Sequence, residues 1–486
     1  MPAEFRTATE LAAALRSRQV SSVELTEAAM AAIEAGDDAL NAVVVRDFER
    51  ARAAAKAADA ALAKGAAGAL LGLPITVKES FNLAGLPTTW GIPNTQNIPV
   101  TQDAVTVARL KAAGAVVLGK TNISYLLADW QSFNDVYGTS NNPWSADHTP
   151  GGSSGGSAAA LAAGFVSLEL GSDLAGSLRV PAHFCGIYAH KPSSDIIPRR
   201  GQNPPGVPML SLAPRLDLAT CGPMARSARD LMLGLDILAG PDDHEATGWQ
   251  LQLPAPRHAA LKDYRVLVID QHPLTLTDAS VRRPLNDLAE KLIAVGCKVG
   301  RSSDLLPDLA LIGRMYLQAL MAFIGSNMPQ PDYDAAVARA AALPQDTDDL
   351  RSVVQRGLVA SHRGWVQADF IRTGILDHWR RFFRDWDILV CPVMPTPALA
   401  HDHRPVADRT VMVDGQAMPY GDLPLWSSIA TLSGLPSTAF PLDLSPQGLP
   451  VGAQAIGSFL EDRTTIAFAD LVAQAFGGFK PPPGLA

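Results

Sequence analysis

Apolar residues recur along this chain with two different periods. Across residues 8–63 they fall at helical spacing, and Ser21 followed by Glu24 makes a capping box ahead of an amphipathic run. Residues 51–63 are rich in alanine, which suits a closely packed or surface helix. The period then changes. LPITV (73–77) is a short apolar run of strand length that ends at Lys78. Residues 104–113 predict a helix, 115–118 a strand, 157–163 a helix and 166–170 a strand. Further on, 229–239 predicts a helix, 264–270 a strand, 279–295 a helix and 297–300 a strand. Residues 309–385 are mostly helical in pattern, and 388–391 and 451–456 predict late strands that return to the sheet. Alternating strands and helices point to an α/β protein.

No repeat and no low-complexity linker divides the chain. One unit spanning residues 1–486 is therefore expected, with a core from 1–240 and 387–486 and a mostly helical region at about 241–386. Apolar residues make up 47% of the 486 and charged residues 18%, and mean hydropathy is +0.09, which favours a large core with much small-residue packing. The net charge of −8, without a lysine or arginine block, argues against a nucleic-acid partner. Cys185, Cys221, Cys297 and Cys391 form no C-x-x-C pair, so reduced, buried thiols are expected. The chain opens without a signal-peptide pattern, and its longest weakly polar stretch, 157–168, is too short to cross a bilayer. These features predict a soluble cytoplasmic protein without a membrane partner.

Two candidate anion-binding motifs compete. Residues 114–121, GAVVLGKT, match the P-loop pattern G-x-x-x-x-G-K-[ST]. The four variable positions, Ala115, Val116, Val117 and Leu118, are strand-like rather than loop-like, and no convincing helix follows Thr121. The P-loop reading fails on that context. The denser signal is GGSSGG (151–156) and GSDLAGS (171–177), two glycine-serine loops that flank a small-residue helix and a strand. Consecutive free N–H groups in such loops form a nest for a phosphate or for the oxyanion of a tetrahedral intermediate. Three readings stand at this level. Residues 151–155 fit the nucleophile elbow G-x-S-x-G, but the preceding SADHTP is not a strand. The loops could be ordinary tight turns. Or a serine could be activated by a desolvated, neutral lysine.

The run GGSSGGSAAA…GSDLAGSLRVPAHFCGIYAHKP resembles the amidase signature. LPITVKES (73–80), GLPTTWG (85–91), DAVTVARLKAAGAVVLGKTN (103–122), NNPW (141–144), ILVCPVMPTPA (388–398) and GLPVGAQAIG (448–457) extend the resemblance. It spans about 9–240 and 387–475, and the intervening region is where that family varies. The resemblance implies a single large α/β/α fold, with a mixed central sheet covered by helices on both sides. It also implies a Ser–cisSer–Lys triad: Ser177 as nucleophile, Ser153 as the bridging serine after a cis bond at Gly152, and Lys78 as base. The backbone N–H groups of Leu174, Ala175, Gly176 and Ser177 would form the oxyanion hole. Ala175 departs from the family's usual glycine, and Ser193 from its usual threonine.

For Lys78 to accept a proton at neutral pH, burial must lower its pKa by about 2–3. Strand alternation puts Glu79 on the opposite face from it. Ser154 and Ser157 are expected to be structural hydrogen bonders, and Asp173 and Arg179 an ion pair supporting the loop. His183 and His190 are expected to be packed histidines. Leu127, Trp130 and Tyr316, with apolar residues of the helical region, are candidates for an acyl pocket. The resemblance implies hydrolysis of a small-molecule amide without cofactor or metal. Two alternatives stay open, an amidotransferase component of a transamidation complex and a carbamate or ester hydrolase with the same triad; the protein could also form a homodimer.

Overall fold

The computed structural model describes residues 5–210, 212, 216–344 and 346–484. Among these are 14 α-helices and an 11-stranded sheet. In spatial order the strands are Val43–Arg46, Val116–Thr121, Pro74–Lys78, Leu168–Asp173, Thr220–Ala225, Tyr188–Lys191, Ser437–Leu444, Pro450–Ile456, Ile388–Pro392, Arg265–Val268 and Lys298–Gly300. Pro74–Lys78 is parallel to both of its neighbours, and Arg265–Val268 is parallel to both of its own; the other pairings are antiparallel. The mixed sheet expected from the resemblance is therefore observed.

Period-two alternation assigns the two faces. Ile75, Val77 and Val117 join a core with helices Ala8–Arg16, Ala228–Leu238, Ala279–Ala294 and Asp462–Phe476. Val116 and Leu118 point the other way, into a core with Ser22–Leu40, Phe48–Ala63, Gly155–Ala162 and Arg179–Cys185. A third cluster lies among Leu309–Gly325, His362–Asp385 and Leu425–Leu432. Both faces of the sheet are thus covered by helices. The capping box forms as expected: Ser21 Oγ accepts from Glu24 N at 3.1 Å, and Ser21 N donates to Glu24 at 2.8 Å.

Residues 114–121 resolve as sequence context indicated. Val116–Thr121 is an inner strand, and a side chain at Gly119 would lie 2.1 Å from Val45 O on the adjacent strand. Lys120 is buried and pairs with Glu79 at 3.8 Å. The glycine and lysine of the motif serve strand packing, not a phosphate cradle. Within 241–386 the structure is not uniformly helical, because Arg265–Val268 and Lys298–Gly300 extend the far edge of the sheet. The expectation of continuous helix through 8–63 is corrected by Val43–Arg46, a short β-branched run that pairs antiparallel with 116–121 between two helices.

Candidate active site

Strands Pro74–Lys78 and Leu168–Asp173 are parallel neighbours, so their carboxyl ends meet at one edge of the sheet. Lys78 closes the first strand. The loop 174–177 follows the second. Glycines admit the third component, the loop 151–154. A side chain at Gly151 would lie 2.8 Å from Pro181 Cα, and one at Gly152 2.5 Å from Asp129 O. The Gly152–Ser153 peptide is cis.

Lys78 is completely buried. Its Nζ lies 2.7 Å from Ser153 Oγ and 3.0 Å from Ser172 Oγ. Burial lowers its pKa from the ordinary 10.5 to about 7, against the opposing pull of Cys221, Asp173 and Glu169. Glu169, on the neighbouring strand opposite Thr76, is itself pushed up to about 7 by burial. Glu79 faces elsewhere and accepts the N–H groups of Thr89 and Trp90. Ser177 is the most exposed of the three candidate side chains, at 6% against 1% for Ser153 and 0% for Lys78. Its Oγ makes no hydrogen bond among the described residues. Ser172, the second partner of Lys78, was not singled out by sequence, although it lies inside the glycine-serine motif.

Asp173 and Arg179 form a buried two-pronged pair, with Nε and a terminal nitrogen each 3.0 Å from a carboxylate oxygen. Burial works to raise the Asp173 pKa, but Arg179 holds it below the ordinary range. Arg179 also donates to Gln454 at 2.8 Å, Thr431 at 2.7 Å and Ser427 O at 3.1 Å. These partners lie some 250 residues away in sequence, and no local pattern marks them. Ser154 Oγ donates to Ser172 O at 3.3 Å, and Ser157 Oγ shares a 2.8 Å hydrogen bond with Thr121. His183 is buried between Gly452 and Thr396 and falls to about pKa 4 through burial.

The loop 174–177 presents N–H groups unevenly. Gly176 N–H donates to Asp173 at 2.8 Å, so it does not stand free beside Ser177. Of the four N–H groups expected to form the oxyanion hole, this one is already engaged. The N–H groups of Leu174, Ala175 and Ser177 have no acceptor among the described residues. Gly176 takes the left-handed φ of +94°, while Ala175 does not have a positive φ, so alanine fits where the family usually has glycine.

Two of the residues expected to form a pocket, Trp130 and Tyr316, touch this loop. Trp130 Nε1 donates to Ala175 O at 2.8 Å, and Tyr316 OH to Leu174 O at 3.4 Å. Tyr316 is fully buried, so it does not form an open wall. Met315 and neighbouring apolar residues enclose a groove of only about 20 Å³ with Trp365 and Leu432. Leu127 is half-buried on the turn Tyr125–Leu127, at φ +61°, on the loop that leads to Trp130. All four cysteines are buried and free. Among the described residues no helix is long and apolar enough to cross a membrane.

A buried lysine, two serines and a loop with free backbone N–H groups thus gather at the ends of two parallel strands. The family model described as Amidase matches residues 24–466, and the chain belongs to the amidase family. It is 35% identical to a glutamyl-tRNA(Gln) amidotransferase subunit of Methylococcus capsulatus (strain ATCC 33009 / NCIMB 11132 / Bath), over 94% of each chain. It is 32% identical to the corresponding protein of Gluconobacter oxydans (strain 621H), over 95% of this chain and 94% of that one. Among solved structures it resembles a vestigial protein complex bearing on the origins of an s-triazine catabolic enzyme, at TM-score 0.80 and 29% identity, covering 98% of this chain and 100% of that one. A bacterial aryl acylamidase of the amidase signature family shares the fold at TM-score 0.80 and 21% identity, covering 98% and 97%.

Proposed function

We propose that this protein cleaves a carboxamide C–N bond through an acyl-enzyme on Ser177. The observation that carries the reading is the 2.7 Å contact between a buried, readily neutral Lys78 and Ser153 Oγ, beside an N–H-lined loop that ends at Ser177. Ser177 Oγ attacks the carbonyl carbon and passes its proton to Ser153, which passes its own to Lys78. The oxyanion takes the free N–H groups of the 174–177 loop. The relay then runs in reverse and protonates the leaving nitrogen, which an amine leaving group requires. Water repeats the sequence on the acyl-enzyme and frees Ser177. Ser172 holds a Lys78 N–H, which turns the lone pair toward Ser153.

The acyl donor divides this reading. The amidotransferase relatives favour a component that releases ammonia from an amide and hands it on within a protein complex for use on a tRNA-linked substrate. The other reading is a free-standing amidohydrolase acting on hydrophobic or aryl amides, which needs only the same lysine, serines and N–H donors. The same serine could open an ester or a carbamate. A fluorophosphonate should label Ser177 and no other serine, identified by sequencing the labelled peptide. Labelling elsewhere refutes the mechanism. Ammonia release from glutamine measured beside a panel of aryl amides and carbamates, together with co-purified partner proteins, then separates the substrate readings.

A further inference from the structure

The loop 174–177 has its carbonyl groups pinned one after another. Across a trans peptide the N–H lies opposite the C=O, so holding the oxygen aims the hydrogen. Asp173 O receives Thr220 Oγ1 at 3.4 Å, and the plane it belongs to carries the free N–H of Leu174. Leu174 O receives Tyr316 OH at 3.4 Å, and that plane carries the free N–H of Ala175. Gly176 O receives Val180 N at 2.7 Å, and that plane carries the free N–H of Ser177. The middle plane is held at both ends, with Ala175 O on Trp130 Nε1 at 2.8 Å and Gly176 N–H on Asp173 at 2.8 Å. It acts as a fixed bar between the free N–H groups of Ala175 and Ser177.

Trp130 is itself clamped. The preceding Asp129 accepts Tyr420 OH at 2.6 Å and Arg409 at 2.7 Å. The following Gln131 exchanges two 3.0 Å hydrogen bonds with the backbone of Asp402. Trp130 also lies 5.4 Å from the Tyr420 ring, centroid to centroid. The same segment closes over Gly152, next to Ser153.

We propose that Trp130 is a positioning residue for the oxyanion donors, with Tyr316 in a lesser supporting part. It stops the Ala175–Gly176 peptide from turning over and so keeps the neighbouring N–H groups aimed at the developing oxyanion. This rests on the acyl-enzyme reading of Ser177. Losing one direct oxyanion donor costs about 10²–10³ in kcat, and loosening an anchor behind the donors costs less.

The test compares wild type with W130F, with the benzothiophene analogue of tryptophan at position 130, which keeps the ring shape without the N–H, and with Y316F. The readouts are fluorophosphonate labelling of Ser177, inhibition by phenylboronic acid, and kcat and KM on the best-cleaved amide. Both changes at 130 should slow labelling, weaken boronate inhibition and lower kcat by about tenfold, with KM within about twofold and the pH profile unmoved; Y316F should do less. A residue needed only for folding would not separate kcat from KM in this way. If W130F fails to fold, the benzothiophene variant decides. Labelling of Ser177 at wild-type rate in that variant, with kcat within about twofold, overturns the positioning role alone. No labelling of Ser177 in wild type overturns the acyl-enzyme reading and the positioning role together.

Discussion

Lys78 offers the most direct test, because its burial makes two independent quantities depend on pH. An ordinary lysine of pKa 10.5 is neutral at pH 7 in about one molecule in three thousand. With its pKa brought to about 7, Lys78 is neutral in about half. That gain in active base corresponds to about 5 kcal/mol of disfavour for the charged form in the folded protein. As a base, the neutral form should make log(kcat/KM) rise with unit slope below about pH 7 and level off above it. The folded pKa lies below the unfolded one, so the unfolded chain binds more protons between about pH 7 and 10.5, and folding stability rises with pH through that window. Lys78→Met removes this contribution. The stability of wild type relative to the variant should increase by about 2 kcal/mol between pH 7 and pH 9 in urea unfolding. A kinetic limb near pH 10, or a stability difference that is flat with pH, would refute a neutral buried base.

Three further outcomes follow from named contacts. Glu169→Gln removes a carboxyl that holds the Lys78 pKa up where it is ionised; because burial raises Glu169 itself to about 7, the acid limb of kcat/KM should move only slightly to lower pH, with plateau activity within about threefold of wild type, and a limb moved to higher pH would refute this coupling. Arg179→Met leaves Asp173 buried without its partner and should cost about 3–5 kcal/mol in urea unfolding at pH 7. Because Asp173 is held low by Arg179, the stability it contributes is present above the ordinary carboxylate range and lost as pH falls through its lowered pKa, so this cost should shrink in acid. Gly119→Ala places a methyl 2.1 Å from Val45 O and should destabilise by about 3 kcal/mol or detach strand 43–46, read from unfolding curves and amide exchange on that strand.

The legible parts of this chain were those with local signals. The capping box at Ser21, the strand ending at Lys78 and the helical stretch 309–385 follow from short-range periodicity. The two glycine-serine loops announced a backbone nest. What sequence missed is non-local. Strand Thr220–Ala225 is buried and sits inside the sheet with Pro223 in it, and glycine and proline in TCGPMA argue against a strand until its neighbours are known. Tyr188–Lys191 is likewise buried at every position and shows no alternation. Trp130 and Tyr316 were expected to line an acyl pocket, and their orientation depends on carbonyl groups 45 and 142 residues away. An apolar ring in sequence does not disclose where its N–H or O–H points.

Burial alone does not distinguish the proposed base. Among the described residues Lys78, Lys120 and Lys191 are all buried, and desolvation lowers them to about 7, about 8 and about 7. Their partners differ in kind. Lys191 Nζ donates to Pro192 O at 2.8 Å, and Lys120 donates to Pro87 O and to the Thr88 hydroxyl at 2.9 Å and pairs with Glu79. A carbonyl or carboxylate only accepts, so it binds the amine through an N–H and gives no proton to its lone pair. Lys78 meets two hydroxyls instead, at 2.7 and 3.0 Å, and a hydroxyl can either accept or donate. One of them can take an N–H while the other delivers its proton to the lone pair. A low pKa supplies a neutral amine at all three positions, but only Lys78 has two hydroxyl partners and, among the described residues, no carbonyl or carboxylate partner. The single hydroxyl at Lys120 directs its own proton to Phe81 O, and carbonyl and carboxylate acceptors hold the amine through its N–H groups.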